Sequence, residues 1–135
     1  MKATDLRLSN LINIGGNTLD TYQIYKPTKV TLAILNEIAG ENEERPDAVL
    51  SVFQPIPLSE EWLLKLHNEE EVEKSKRFPN EIYIGDRFLF IWKEAYKYWY
   101  VITQKHHEYL TKIEFVHEYQ NFIYTLTGNE LEVKL

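Results

Sequence analysis

The chain has 135 residues, 44% of them hydrophobic, enough for one ordinary globular core. Fifteen basic and 21 acidic side chains leave a net charge of −6, and there is no cysteine. This excludes a disulfide scaffold, a thiol nucleophile and a cysteine-ligated zinc or iron–sulfur centre, and the acidic balance argues against a nucleic-acid partner. No apolar run approaches the ~18 residues of a membrane span, and Met1-Lys2-Ala3-Thr4-Asp5 turns polar at once, without a signal-peptide core. The expectation is a soluble cytoplasmic protein of one domain, residues 1–135, with sub-lobes 1–58 and 59–135.

Charge and aromatics are unevenly placed. Glu37 to Lys74 carries 11 acids and 3 bases, a net −8, so the rest of the chain is +2. Of 18 aromatic residues, 14 lie between Phe78 and Tyr124.

In chain order, Leu6 to Ile14 alternates apolar and polar at its start, the period of a strand with one buried face. Gly15-Gly16-Asn17 signals a turn and Tyr22 to Tyr25 a second strand, so residues 6–25 read as a hairpin stopped by Pro27. Val30, Ile34, Leu35 and Ile38 share a helical face, with Thr28 or Thr31 to cap it and Gly40 to end it. Glu41 to Asp47 reads as a charged loop, and Ala48 to Phe53 as a buried strand. Pro55-Ile56-Pro57-Leu58 must be extended. Ser59 then has the chemistry of an N-cap, Glu60 and Glu61 suit the positive end of a helix, and Trp62, Leu63 and Leu66 form its buried stripe. His67 closes this helix, where a cation suits the C-terminus. Glu69 to Lys74 reads as a solvated continuation. Glu81–Ile84, Arg87–Trp92 and Tyr96–Thr103 are rich in aromatic and β-branched residues and predict a three-stranded antiparallel meander. Phe115, Tyr119, Phe122 and Leu126 recur at helical spacing before Gly128, a helix stop, and Leu131 to Lys134 alternates like an edge strand.

Three stretches carry a resemblance. They are Leu6-Arg7-Leu8-Ser9-Asn10-Leu11-Ile12, the segment Pro55 to Leu66, and Val116-His117-Glu118-Tyr119-Gln120-Asn121-Phe122-Ile123-Tyr124-Thr125-Leu126-Thr127-Gly128-Asn129-Glu130-Leu131. Together they are similar to a family of small proteins encoded by phages and prophages of Bacteroidetes. That family opens on Arg-x-Gly-Asn and ends on His-x-Leu-Gln-Asn-Leu-Tyr followed by Leu-Thr-Gly. Here Ser9 replaces the glycine, Tyr119 the leucine and Phe122-Ile123 the Leu-Tyr, and Asn129 stands where Glu is usual. The resemblance implies a mobile-element origin and an accessory role in the cytoplasm of a bacterial host. It implies no activity.

Candidate chemistry centres on the last helix, where His117, Gln120, Asn121 and Tyr124 share one stripe. Such a stripe either docks a polar ligand or ties the helix to the chain's own backbone. Tyr96, Tyr98 and Tyr100 fall on one face of a strand and Trp99 on the other, so Tyr98 and Trp99 are candidates for an aromatic binding surface. Neither His106-His107-Glu108 nor any other grouping has metal-ligand spacing, and no cofactor motif, nucleophile elbow or phosphate loop is present.

The sequence thus predicts an α+β fold: an N-terminal hairpin or small barrel-like lobe, and an antiparallel meander packed by a C-terminal helix. Three functions are open. The first is a non-catalytic accessory module that binds a host or phage protein or forms a homo-oligomer. The second is a small-ligand binder, such as a nucleotide sponge opposing host defence. The third is a hydrolase or nuclease using His117 with a carboxylate.

Overall fold

The computed structural model describes residues 6–7, 10–15, 25–44 and 53–131. Gly16-Asn17, Tyr22 to Ile24, Ala48 to Val52 and Glu132 to Lys134, over which a turn and parts of three strands were expected, lie outside the described residues. The fold is α+β. Two compact units divide the chain, Met1–Ile56 with Phe115–Leu135, and Pro57–Glu114. The first break falls two residues before the expected boundary at 58/59, and the last segment of chain joins the first unit.

In the first unit, β1 (Leu11–Gly15) is the centre of a three-stranded antiparallel sheet between β2 (Tyr25–Lys29) and β3 (Phe53–Gln54). Pro27 was expected to stop the hairpin, yet it sits within β2 opposite Asn13. β2 is an edge strand, where a missing N–H breaks no ladder. Helix α1 (Leu32–Glu44) starts where the Thr31 hydroxyl accepts from the Ile34 N–H at 3.3 Å. It runs through Gly40 and into the expected charged loop, so Gly40 ends nothing. Ile12, Val30, Ile38 and Leu6 form a buried cluster, with Ile14, Ile34 and Leu35 packed against it. Leu11, next along β1, is also fully buried, and α3 (Val116–Thr127), the C-terminal helix, packs on this strand. That helix was expected to pack the meander; it does pack on strands, but the strand it meets is β1 of the hairpin.

The second unit begins with α2 (Glu60–Leu66). The Ser59 hydroxyl accepts from the Trp62 N–H at 3.3 Å, Glu60 and Glu61 fill the first turn, and Leu63 and Leu66 are the buried side chains. After a single 3₁₀ turn, Glu69–Glu71, the chain enters a five-stranded antiparallel sheet in sequential order. Its strands are β4 (Val72–Lys74), β5 (Glu81–Ile84), β6 (Phe88–Lys93), β7 (Tyr98–Thr103) and β8 (Tyr109–Ile113). The expected meander is the middle of this sheet. β4 was read as solvated helix, and β8 was not foreseen. The unit closes where its ends meet, the Leu58 N–H donating to the Glu114 carbonyl at 2.8 Å.

Cross-strand partners share a face, so the register sorts the sheet. One face carries Ile82, Phe90 and Val101, then Trp92, Trp99 and Ile113. The other carries Leu89 with Ile102, Ile91 with Tyr100 and Lys112, and Lys93 with Tyr98. The N-terminal end of α2 lies on the Trp99 face. There the Trp99 indole N–H donates to the Leu58 carbonyl at 2.8 Å and Lys74 pairs with Glu60 at 3.2 Å.

Candidate functional site

The α3 stripe is held by α3 itself. The Glu118 carboxylate accepts from the Phe115 N–H at 3.0 Å, and Gly128, with φ of 73°, ends the helix as expected by donating its N–H to the Tyr124 carbonyl at 2.8 Å. On this stripe Gln120 is 1% exposed and, with Asn10, lies among the few buried polar side chains of the described residues. Its Oε1 accepts from the Leu11 backbone N–H at 2.8 Å and from Asn10 Nδ2 at 3.5 Å, and its Nε2 donates to the Leu131 carbonyl at 2.9 Å. Asn121 Oδ1 accepts from Arg7 Nε at 2.6 Å and from Asn10 Nδ2 at 3.0 Å. The Arg7 guanidinium also donates to the Gln120 carbonyl at 3.1 Å, ion-pairs with Glu130, and lies 4.1 Å from the Tyr124 ring centroid. Asn10 Oδ1 in turn accepts from the Arg7 N–H at 2.6 Å.

The motif residues at the two ends of the chain therefore form one internal clasp. Gln120 and Asn121 satisfy a strand N–H, the Leu131 carbonyl and a half-buried arginine, so the polar groups drawn out of water here have partners. Tyr124 is exposed and carries the guanidinium on its ring face. His117 is buried, its ring stacked on Phe115 at 5.8 Å and 7°. Arg7, Asn10 and Glu130 were not named as site residues. Arg7 and Asn10 stood in the quoted opening motif, and the signal that would have joined them to Gln120 was the pairing of two stretches more than a hundred positions apart.

Tyr98 and Trp99 belong to the other unit and occupy opposite faces of β7. On the Tyr98 face, two aromatic pairs lie side by side. Tyr96 stacks on Tyr98 at 5.5 Å and 15°, and Tyr100 on Tyr109 at 4.9 Å and 28°. Lys112 stands 5.5 Å over the Tyr98 ring and Lys93 5.5 Å over the Tyr100 ring. Tyr96 is 69% and Tyr109 55% exposed, and Tyr98 and Tyr100 are half-buried. A β-bulge builds this surface. Val101 pairs with Thr111 but Ile102 with Tyr109, which leaves Leu110 over and turns Tyr109 onto the face of Tyr100. Regular alternation would have sent Tyr109 to the Trp99 side.

On the Trp99 face there is a pocket of about 460 Å³, walled by Leu58, Ile82, Trp92 and Trp99. The two indole rings meet at 5.1 Å and 55°. His106 and His107 lie in an exposed turn, and among the described residues no three histidine or acidic side chains are grouped to hold a metal. No described helix is long and apolar enough to cross a membrane. His67 departs from its expected cationic role. Burial pushes its pKa below the ordinary histidine value, although Glu71, 3.1 Å from Nδ1, pulls the other way.

No family model, curated protein or solved structure matches this chain.

Proposed function

We propose that the protein is a non-catalytic binding module whose contact surface is the tyrosine–lysine face of the five-stranded sheet. The supporting observation is the pair of tyrosine stacks, Tyr96 on Tyr98 and Tyr100 on Tyr109, set in the open with a lysine over each strand-β7 ring. Tyrosine contributes large contact area at small entropic cost, because two torsions fix it, and stacking fixes them before a partner arrives. Lys93 and Lys112 stand over rings of the face, so this surface favours an acidic partner protein although the chain as a whole carries −6. In the phage or prophage setting that the motifs imply, that partner is a host or phage protein engaged in the bacterial cytoplasm.

The test is affinity capture with the full chain against Tyr98→Ser and Tyr100→Ser on one side and Tyr124→Ser on the other. A partner retained by the wild type and by Tyr124→Ser but lost by the sheet variants, with folding unchanged by circular dichroism, supports the proposal. Equal retention by all of them, or no retention together with a strictly monomeric mass by light scattering, refutes it.

A further inference from the structure

The pocket beside α2 has a chemistry of its own, independent of the tyrosine face. Its lining joins two indoles and aliphatic groups to the polar residues Ser59, Glu60 and Asn80, and both indole N–H groups are already committed. Trp99 donates to the Leu58 carbonyl at 2.8 Å and Trp92 to the Glu94 carboxylate at 2.6 Å. The indoles therefore have no spare ring donor for an occupant and can offer it only ring surface. A ring face is the negative side of the indole quadrupole, and tryptophan is the strongest of the aromatic side chains in attracting a cation. Glu60 is among the lining residues and brings the one carboxylate of that set. The molecule already places an ammonium against it. Lys74 shares the pocket's face through its pairing with Ile82, and its Nζ lies 3.2 Å from Glu60 while the side chain stays 57% exposed. An exposed pair of this kind is weak and easily displaced.

We infer that this pocket binds an alkylammonium cation, a methylated ammonium head on a short apolar stem, with the head against Trp92 and Trp99 and its charge answered by Glu60. Lys74 is then a competitor for the carboxylate and not a ligand-binding residue. An anionic or carbonyl-bearing ligand would need Lys74, so the sign of its substitution separates the two chemistries.

The experiment is titration of the full-length protein with choline chloride at constant ionic strength, followed by the indole N–H resonances. The control is dimethylbutanol, the neutral carbon isostere of choline. The expected result is saturable shifts at Trp92 and Trp99, none at Trp62, and no matching response to the isostere. Lys74→Ala should tighten choline binding about fivefold and Glu60→Gln weaken it about fivefold, the scale of a single exposed cation–π or ion-pair contact. Both substitutions lie at exposed or half-exposed positions, so folding is preserved in each. A trimethyllysine peptide run beside choline distinguishes a side-chain source from a free one by which binds tighter. Equal binding of the isostere, no saturable shift with either cation, or weakened binding in Lys74→Ala overturns the inference.

Discussion

Gln120 carries much of the clasp's structural demand from a fully buried position. It answers the Leu11 N–H on one side and the Leu131 carbonyl on the other, and it is sealed from water. Removing it leaves a buried strand N–H without its partner, and an unmet buried donor costs ~1–3 kcal/mol before the cavity is counted. Gln120→Ala should therefore lower unfolding free energy by about 3 kcal/mol in urea titration. Tyr124→Ala, on the exposed end of the same stripe, should cost under about 1 kcal/mol, its one described partner being the Arg7 guanidinium. Comparable losses in the two would mean that the clasp is not centred on the amide. His67 gives a second prediction, in pH. Burial disfavours its charged form in the folded protein, so the unfolded chain takes up the proton first as pH falls. Stability should then drop as pH passes below about 6.5 toward the lower folded value, and be unaffected by this group above it. His67→Gln should flatten the urea midpoint between about pH 7 and pH 5.5. A midpoint that rises on acidification, or the same slope in the variant, would contradict a His67 pKa lowered by burial.

At the scale of elements, the ends of helices carry clear chemistry. Ser59→Ala should cost about 1 kcal/mol through the lost cap on α2. Gly128→Ala should cost a similar ~1 kcal/mol through backbone strain alone, because φ is 73° and the space around an added Cβ is empty. Thermal unfolding of the two variants measures both, and no shift in either midpoint would deny the caps. These features were legible because a cap is a local event, readable in four or five residues. So was the face assignment of Tyr98 against Trp99, which follows from strand alternation. What was hidden depended on partners far away. Pro27 is tolerated only because β2 lies at an edge. β4 was invisible because Val72-Glu73-Lys74 is mostly polar, its strand character coming from pairing with Ile82 to Ile84. β8 was missed beside the exposed His106-His107 turn, and its bulge has no sequence period to announce it. Within the candidate site, the amide stripe could be found by spacing, whereas Arg7 and Asn10 could not be joined to it without the fold.

At the scale of the whole molecule, the chain leaves its first unit at Ile56 and returns to it at Phe115. Each crossing is tied within its own unit, Val116 N–H to the Ile56 carbonyl and Leu58 N–H to the Glu114 carbonyl, both at 2.8 Å. The intervening 57–114 segment carries both aromatic features, the tyrosine–lysine face and the tryptophan pocket. The flanking unit carries the clasp, whose polar groups face one another. The proposed binding surfaces and the self-supporting clasp thus fall on different stretches of sequence, and substitutions in one should leave the other's measurement intact. The most direct test is site-specific photo-crosslinking in bacterial cells, with a benzoylphenylalanine placed at Tyr96 in one experiment and at Tyr124 in the other. The account predicts discrete protein adducts from Tyr96 that disappear when Tyr98→Ser is added, and none from Tyr124. Adducts from Tyr124 alone, or from Tyr96 undiminished by Tyr98→Ser, would contradict it.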